Sequence, residues 1–297
     1  MNKIDVRRIS AGIKKLAQKA LNSLSTSDPA YKVAHERLYR PIDYMRCAEF
    51  YAISNYLSVK AGMRILDVSS PQWFSMYHAA GNPETEFDYI NIIDAELDSF
   101  RKIAQICGLN NLHYHKGDAR ALSFKPGSFD KIISMSVIEH IYPEVGGDAK
   151  ALGEIKRVLV PTGELLITVP YKDKRNIVYV NGPVYEREAM GKSFFAREYD
   201  KEMFDDLVAA SGFKLNNTHF IIEKPGLFSP DYYKWGPGRD TSSAKYIIRA
   251  SALIERILRK PLDEPLARRY LRVSPQSAYR LVNIAARLVN SADIVNP

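Results

Sequence analysis

The 297 residues suffice for one sizeable core with appended elements, and 46% hydrophobic with 26% charged residues is an ordinary globular composition. The net charge of +8 gathers at the ends: residues 1–37 carry eight Lys/Arg against three Asp/Glu, and residues 239–297 carry eleven against five, which leaves the middle net acidic. No apolar run approaches the roughly 18 residues of a membrane span, the start shows no secretory pattern, and Cys47 and Cys107 make neither a disulfide framework nor a zinc cluster; the expectation is a cytoplasmic protein.

In chain order, Val6, Ile9, Ile13, Leu16, Ala20, Leu21 and Leu24 recur at helical spacing among Arg7, Arg8, Lys14, Lys15 and Lys19. This predicts a basic amphipathic helix, packed on its own domain in preference to a membrane surface. A polar break at 25–29 leads to a second helix at 48–59, and Tyr39, Tyr44 and Arg46 in the connecting segment are candidates to approach a substrate. From residue 63 the rhythm changes. Strands are predicted at 64–68, 89–93, 111–115, 129–135 and 164–169, helices up to residue 80, at 97–107 and at 149–160, and a turn at 161–163. That alternation predicts a mostly parallel sheet covered on both faces. A helix at 201–210 and a strand at 213–223 follow. Beyond Pro225 an aromatic, turn-rich stretch at 228–238 precedes helical candidates at 246–258 and 278–288. The expected organisation is an N-terminal helical extension (1–47), an α/β core (48–224), and an aromatic loop with a C-terminal helical extension or subdomain (225–297).

An open α/β sheet binds ligands beyond the carboxyl ends of its strands. Asp67, Asp94 and Asp118 stand at three such places. Asp94 suits ribose hydroxyls, Asp118 an exocyclic amine beside the backbone amide of Ala119, and Asp67 either orients the first turn or meets an amino group. Any one of them also reads as a helix cap.

Four segments then follow in order: RILDV at 64–68, GDA at 117–119, FDKIISMSVIEH at 129–140 and RVLVPTGELLITVP at 157–170. On these the chain resembles the class I S-adenosylmethionine-dependent methyltransferase family over roughly residues 50–223. The resemblance implies a Rossmann-like, mostly parallel sheet of the seven-stranded type, here with helical additions at both ends, and S-adenosylmethionine as cofactor. It implies Asp67 in the first cofactor turn, Asp94 at the ribose, Asp118 and Ala119 at the adenine, and Ser136 and Val137 flooring the active-site entrance.

The first turn departs from the family pattern, because Ser69, Ser70 and Pro71 stand where glycines allow close backbone approach. The serine hydroxyls are expected to serve the cofactor in their place. The same departure removes the pyrophosphate cradle of a dinucleotide dehydrogenase. His113 and His115 alternate without further ligands, so no metal is expected.

Glu139 and His140 are the candidate chemistry, with His140 as general base toward a hydroxyl acceptor and Glu139 holding its geometry. Residues 171–199 supply a candidate substrate lid, with Tyr171, Arg175, Arg197 and Tyr199 as binding residues. The expected reaction is O-methylation of a small hydroxylated metabolite. The alternatives are a small-molecule N-methyltransferase, a nucleic-acid methyltransferase and a noncatalytic scaffold. A homodimer is an open expectation, and neither nucleic acid nor a membrane surface is favoured as a partner.

Overall fold

The computed structural model describes residues 2–185, 191–224, 262–276 and 280–290. A two-residue strand, β1 (Asn2–Lys3), precedes α1 (Arg7–Leu21), which buries Ile9, Ile13, Leu16, Ala17 and Ala20 against the body of the protein and turns its lysines and arginines outward. Its apolar stripe is therefore already covered. In α2 (Pro29–Tyr39), Asp28 caps the start by accepting from the Ala30 amide at 2.9 Å, and Pro29 takes the first position, where no amide donor is needed. Next comes α3 (Tyr44–Tyr56), buried on most of its surface; it runs across the boundary expected at 47/48.

The alternating region follows as β2 (Arg64–Val68), α4 (Gln72–Gly81), β3 (Glu86–Asn91), α5 (Asp94–Cys107), β4 (Leu112–Lys116), β5 (Phe129–Met135), a 3-10 turn at Ile138–His140, α6 (Gly147–Val158) and β6 (Leu159–Pro170). Residues 161–163, expected as a turn, lie inside β6. A separate hairpin, β7 (Asn176–Asn181) with β8 (Lys192–Glu198), occupies the expected lid. The chain returns through α7 (Lys201–Ser211) to β9 (Phe213–Glu223), then α8 (Asp263–Tyr270), β10 (Leu271–Ser274) and β11 (Arg280–Asn290).

The main sheet has the order β1-β10-β9-β11-β6-β5-β2-β3-β4. From β4 to β6 neighbouring strands are parallel, and β11 enters antiparallel between β6 and β9. Alternate residues feed two cores, Ile65 and Ile133 on one face and Leu66 and Ile132 on the other.

The helix expected at 278–288 is instead β11, the central antiparallel strand. Leu281, Val282, Ile284, Ala285, Ala286 and Leu288 are all buried, and a short run apolar on both faces does not distinguish a buried strand from a helix by periodicity. Its slot between β6 and β9 decides the matter. The expected C-terminal helical extension thus also contributes two strands to the sheet. The aromatic stretch at 228–238 and the helix expected at 246–258 lie outside the described residues.

Candidate functional site

Two cavities open beyond the carboxyl ends of the parallel strands. The first, about 410 Å³, lies past β2, β3 and β5 and is covered by Val33, Arg37, Ile42 and Arg46 from α2, α3 and their connection. Its floor is the turn after β2. Asp67 is fully buried and accepts from the Ser70 amide at 2.9 Å and from the Ser75 hydroxyl; burial pushes its carboxyl up to about 6 against those hydrogen bonds. Ser69 sits at φ +56°, where glycine is usual, and its Oγ donates to the Ile90 carbonyl at 2.8 Å. The Ser70 Oγ accepts from the Met135 amide at 2.9 Å, and its carbonyl accepts from the Tyr89 hydroxyl at 2.7 Å. Side chains thus bind the turn to β3 and β5.

Two buried atoms on this cavity's wall, Gln72 Oε1 and Trp73 Nε1, have no hydrogen-bond partner among the described residues. They are one acceptor and one donor, and such atoms are costly unless a ligand satisfies them. Asn91, at the end of β3, and Glu96, in the first turn of α5, also line the cavity, with Asn91 Nδ2 donating to Glu96 Oε2 at 3.2 Å. Asp94 does not: it is exposed and paired with Lys116. Asp118 accepts from Arg120, whose hydrogen bonds hold its carboxyl below the usual range, and Ala119 packs on the core; neither lines the cavity.

The second cavity, about 320 Å³, adjoins the first through shared Asp43, Arg46 and Ser136. On the second cavity's wall lies Glu49, buried in α3. Its Oε1 accepts from Ser136 Oγ at 2.5 Å, Thr168 Oγ1 at 2.8 Å and Asn283 Nδ2 at 2.8 Å, while Arg46 pairs with its other oxygen. Glu139 and His140 line this second cavity. Burial foremost, with the nearby Glu49 charge, pushes the Glu139 carboxyl up to about 8, and its Oε2 has no partner among the described residues. The other oxygen is 3.7 Å from His140 Nε2. His140 Nδ1 lies 2.7 Å from the Phe195 carbonyl. Because a carbonyl only accepts, Nδ1 carries the proton and Nε2 is the basic nitrogen.

Of the residues expected at the entrance, Ser136 lines both cavities, and Val137 is half-buried behind it without lining either. The candidate substrate residues are mostly structural. Tyr39 is exposed at the end of α2, and Tyr44 is buried with its hydroxyl donating to Glu223. Tyr171 packs on Phe204 and Phe220, Arg175 pairs with Asp200 and Glu202, and the Tyr199 hydroxyl donates to Asp148. Arg197 is 1% exposed and donates to the carbonyls of Glu139, Ile141, Pro143 and Glu144, which fixes the segment that carries Glu139. The walls come instead from Lys172, Val178, Phe195, Glu198, Val282 and Asn283. His113 and His115 pair with Glu86 and Asp88, and no group able to hold a metal occurs among the described residues. No described helix is long and apolar enough to cross a membrane.

Residues 73–167 match the family model described as a methyltransferase domain, a span that runs from α4 through most of β6 and includes Glu96, Ser136, Glu139 and His140. Over that span the chain is similar to a methyltransferase domain. Similar solved structures include a putative methyltransferase from Bacillus halodurans (15% identity, 82% of this chain and 99% of that one, TM-score 0.51). A putative sarcosine dimethylglycine methyltransferase from Galdieria sulphuraria is 15% identical over 94% of this chain and 98% of its own, with a TM-score of 0.51. The [4+2]-cyclase SpnF is 16% identical over 97% and 96%, also at 0.51. At such identities the likeness is one of fold, and a cyclase among these structures means that fold alone does not define a reaction. No curated protein is significantly similar to this sequence.

Proposed function

We propose that the protein transfers a methyl group from S-adenosylmethionine to a hydroxyl of a small metabolite in the cytoplasm. The observation that carries this reading is the pair of adjoining cavities, one with orphaned buried donor and acceptor atoms at the turn after β2, the other with an orphaned carboxyl oxygen. The first cavity's residues fit the cofactor: Gln72 Oε1 can accept from an amine, Trp73 Nε1 can donate, and Asn91 with Glu96 can bind a ribose diol. When bound, S-adenosylmethionine supplies a sulfonium methyl, whose transfer to oxygen leaves a neutral thioether and obliges the hydroxyl to give up its proton.

Glu139 receives that proton. It must first be ionised, and with its carboxyl near 8 about a tenth of molecules are ionised at pH 7. His140, half-buried beside it with Nε2 as its basic nitrogen, carries the proton toward solvent. This moves the base from His140, the sequence expectation, to the carboxyl next to it. Ser136 and Glu49 hold the wall of the second cavity, where positioning and exclusion of water contribute to the rate.

Two measurements test the reading. Calorimetric titration with S-adenosylhomocysteine should show one site per chain, and labelled methyl from S-adenosylmethionine should appear on a hydroxylated acceptor. No binding by folded, ligand-free protein would replace the enzyme reading with that of a noncatalytic scaffold.

A further inference from the structure

The second cavity has a specific unmet demand. Besides Glu139 Oε2, the Oδ1 of Asn283 is buried without a partner among the described residues. Its orientation is fixed chemically, because its Nδ2 donates to Glu49 Oε1 and a flipped amide would set oxygen against a carboxylate. The β11 strand is irregular between Leu281 and Asn283, where one extra residue enters the pairing with β9, and a bulge of this kind re-aims side chains. With Glu139 ionised, the form the proton step requires, two hydrogen-bond acceptors wait on the walls of one cavity. In that form a carbonyl or carboxylate substrate group would satisfy neither; a group with two donors satisfies both.

Exposed side chains near the second cavity, outside its lining, supply the second observation. Among the described residues seven large hydrophobic side chains are exposed, and four of them, Tyr142, Val145, Tyr179 and Tyr185, belong to the loop after His140 and to the hairpin. The Tyr185 ring is 5.8 Å from the His140 ring, and Tyr179 follows the cavity residue Val178 and donates to Glu144 at 2.6 Å. Aromatic faces beside carboxylates suit a ligand with an apolar C–H face and an edge of hydroxyls.

Resting on the methyl-transfer reading, we propose that the acceptor is a sugar ring with adjacent hydroxyls, the reacting one at Glu139 Oε2 and its neighbour at Asn283 Oδ1, with a ring face against these exposed tyrosines. A simple ammonium also brings several donors but leaves the tyrosines unused.

The test uses the whole chain, labelled S-adenosylmethionine, and methyl glycosides of gluco, galacto, manno and 6-deoxy configuration, with matched monodeoxy analogues and with glycine and dimethylamine as amines. The expected result is transfer to at least one glycoside, reduced about 100-fold or more in kcat/KM when the hydroxyl next to the methylated one is removed. Tyr179→Ala, exposed and outside the cavity wall, should raise KM for that glycoside about fivefold with kcat held. Asn283→Leu should abolish the preference for the diol over its deoxy analogue. Transfer to the amines alone overturns the proposal, as does no glycoside transfer by protein that binds S-adenosylhomocysteine. Loss of S-adenosylhomocysteine binding itself strikes the methyl-transfer reading instead.

Discussion

The two cavities differ in how their polar groups are satisfied. At the first, the turn after β2 spends most of its side-chain hydrogen bonds on the surrounding scaffold: Asp67, Ser69 and Ser70 are occupied by Ser75, Ile90 and Met135. At the second, Glu49 gathers four donors, while Glu139 and Asn283 each leave one buried oxygen without a partner. The first is a scaffold with a few ligand-directed atoms at its edge; the second keeps its strongest unmet acceptors where chemistry is proposed. Satisfied networks rigidify and unsatisfied ones recognise.

The largest expected effect breaks the second cavity alone. Glu139→Gln preserves shape but cannot take a proton, so single-turnover methyl transfer should fall about 10²- to 10⁴-fold while S-adenosylhomocysteine affinity is unchanged. The wild-type rate should rise with pH through about 8 as Glu139 ionises, and the variant should lose that rise. The folded-state value lies above the ordinary glutamate value of 4.5, so the folded protein holds this proton more tightly than the unfolded chain. Its contribution to stability is complete below about 4.5 and is lost as pH climbs through about 8. Thermal unfolding should accordingly show the wild type losing ground to Glu139→Gln between pH 5 and pH 9. An equal pH profile for the two would remove Glu139 from the proposed proton step.

A second substitution strikes the floor of the first cavity. Ser70→Ala removes the hydroxyl that accepts from the buried Met135 amide. Leaving that donor unsatisfied should cost about 1–3 kcal/mol in urea unfolding.

Glu96→Gln and Asp94→Asn sharpen the comparison within the first cavity. Glu96 lines it and Asp94 does not. The first change should weaken S-adenosylhomocysteine binding about tenfold, the worth of one charge-assisted hydrogen bond, and the second by less than about twofold, as befits an exposed ion pair. The reverse ranking would restore the ribose role to Asp94.

The strand-and-helix alternation from β2 to β6 was legible because each element is long enough to show its period and ends in turn residues. That the turn after β2, Ser136, Glu139 and His140 lie beyond the strand ends, on cavity walls, followed from local pattern. What escaped was whatever depends on distant partners. Arg197 and Tyr199 look like ligand-binding residues in the sequence, yet one holds four carbonyls and the other Asp148. Asn283 was hidden inside an expected helix, and Glu49 lies 234 residues away from it in the chain. An acid inside the otherwise apolar stretch of α3, buried at 1%, was the one local signal for Glu49. For the proposed ribose site, the strand-end position and the resemblance pointed to Asp94, whereas Glu96, two residues on, is the one that lines the cavity.

The smallest expected effect concerns the serine that replaces a glycine. Ser69 holds a left-handed backbone at φ +56°, which disfavours a residue with a Cβ by roughly 1–2 kcal/mol. Against this, its Oγ bond to the Ile90 carbonyl contributes about 0.5–1.5 kcal/mol, and a side chain also restricts the unfolded chain, which glycine frees by about 0.5–1 kcal/mol. The terms nearly cancel. Ser69→Gly should therefore shift urea unfolding by no more than about 1 kcal/mol, although it restores the family's turn residue. Ser69→Ala keeps the strain and loses the bond, so it should be the less stable of the two only if the backbone strain outweighs the extra freedom of glycine. Measuring both variants, with S-adenosylhomocysteine affinity alongside, weighs the strain against that freedom. Tighter binding by Ser69→Gly would show that the first cavity trades cofactor affinity for a turn tied to β3; equal binding would show that the serine hydroxyl occupies space the cofactor does not need.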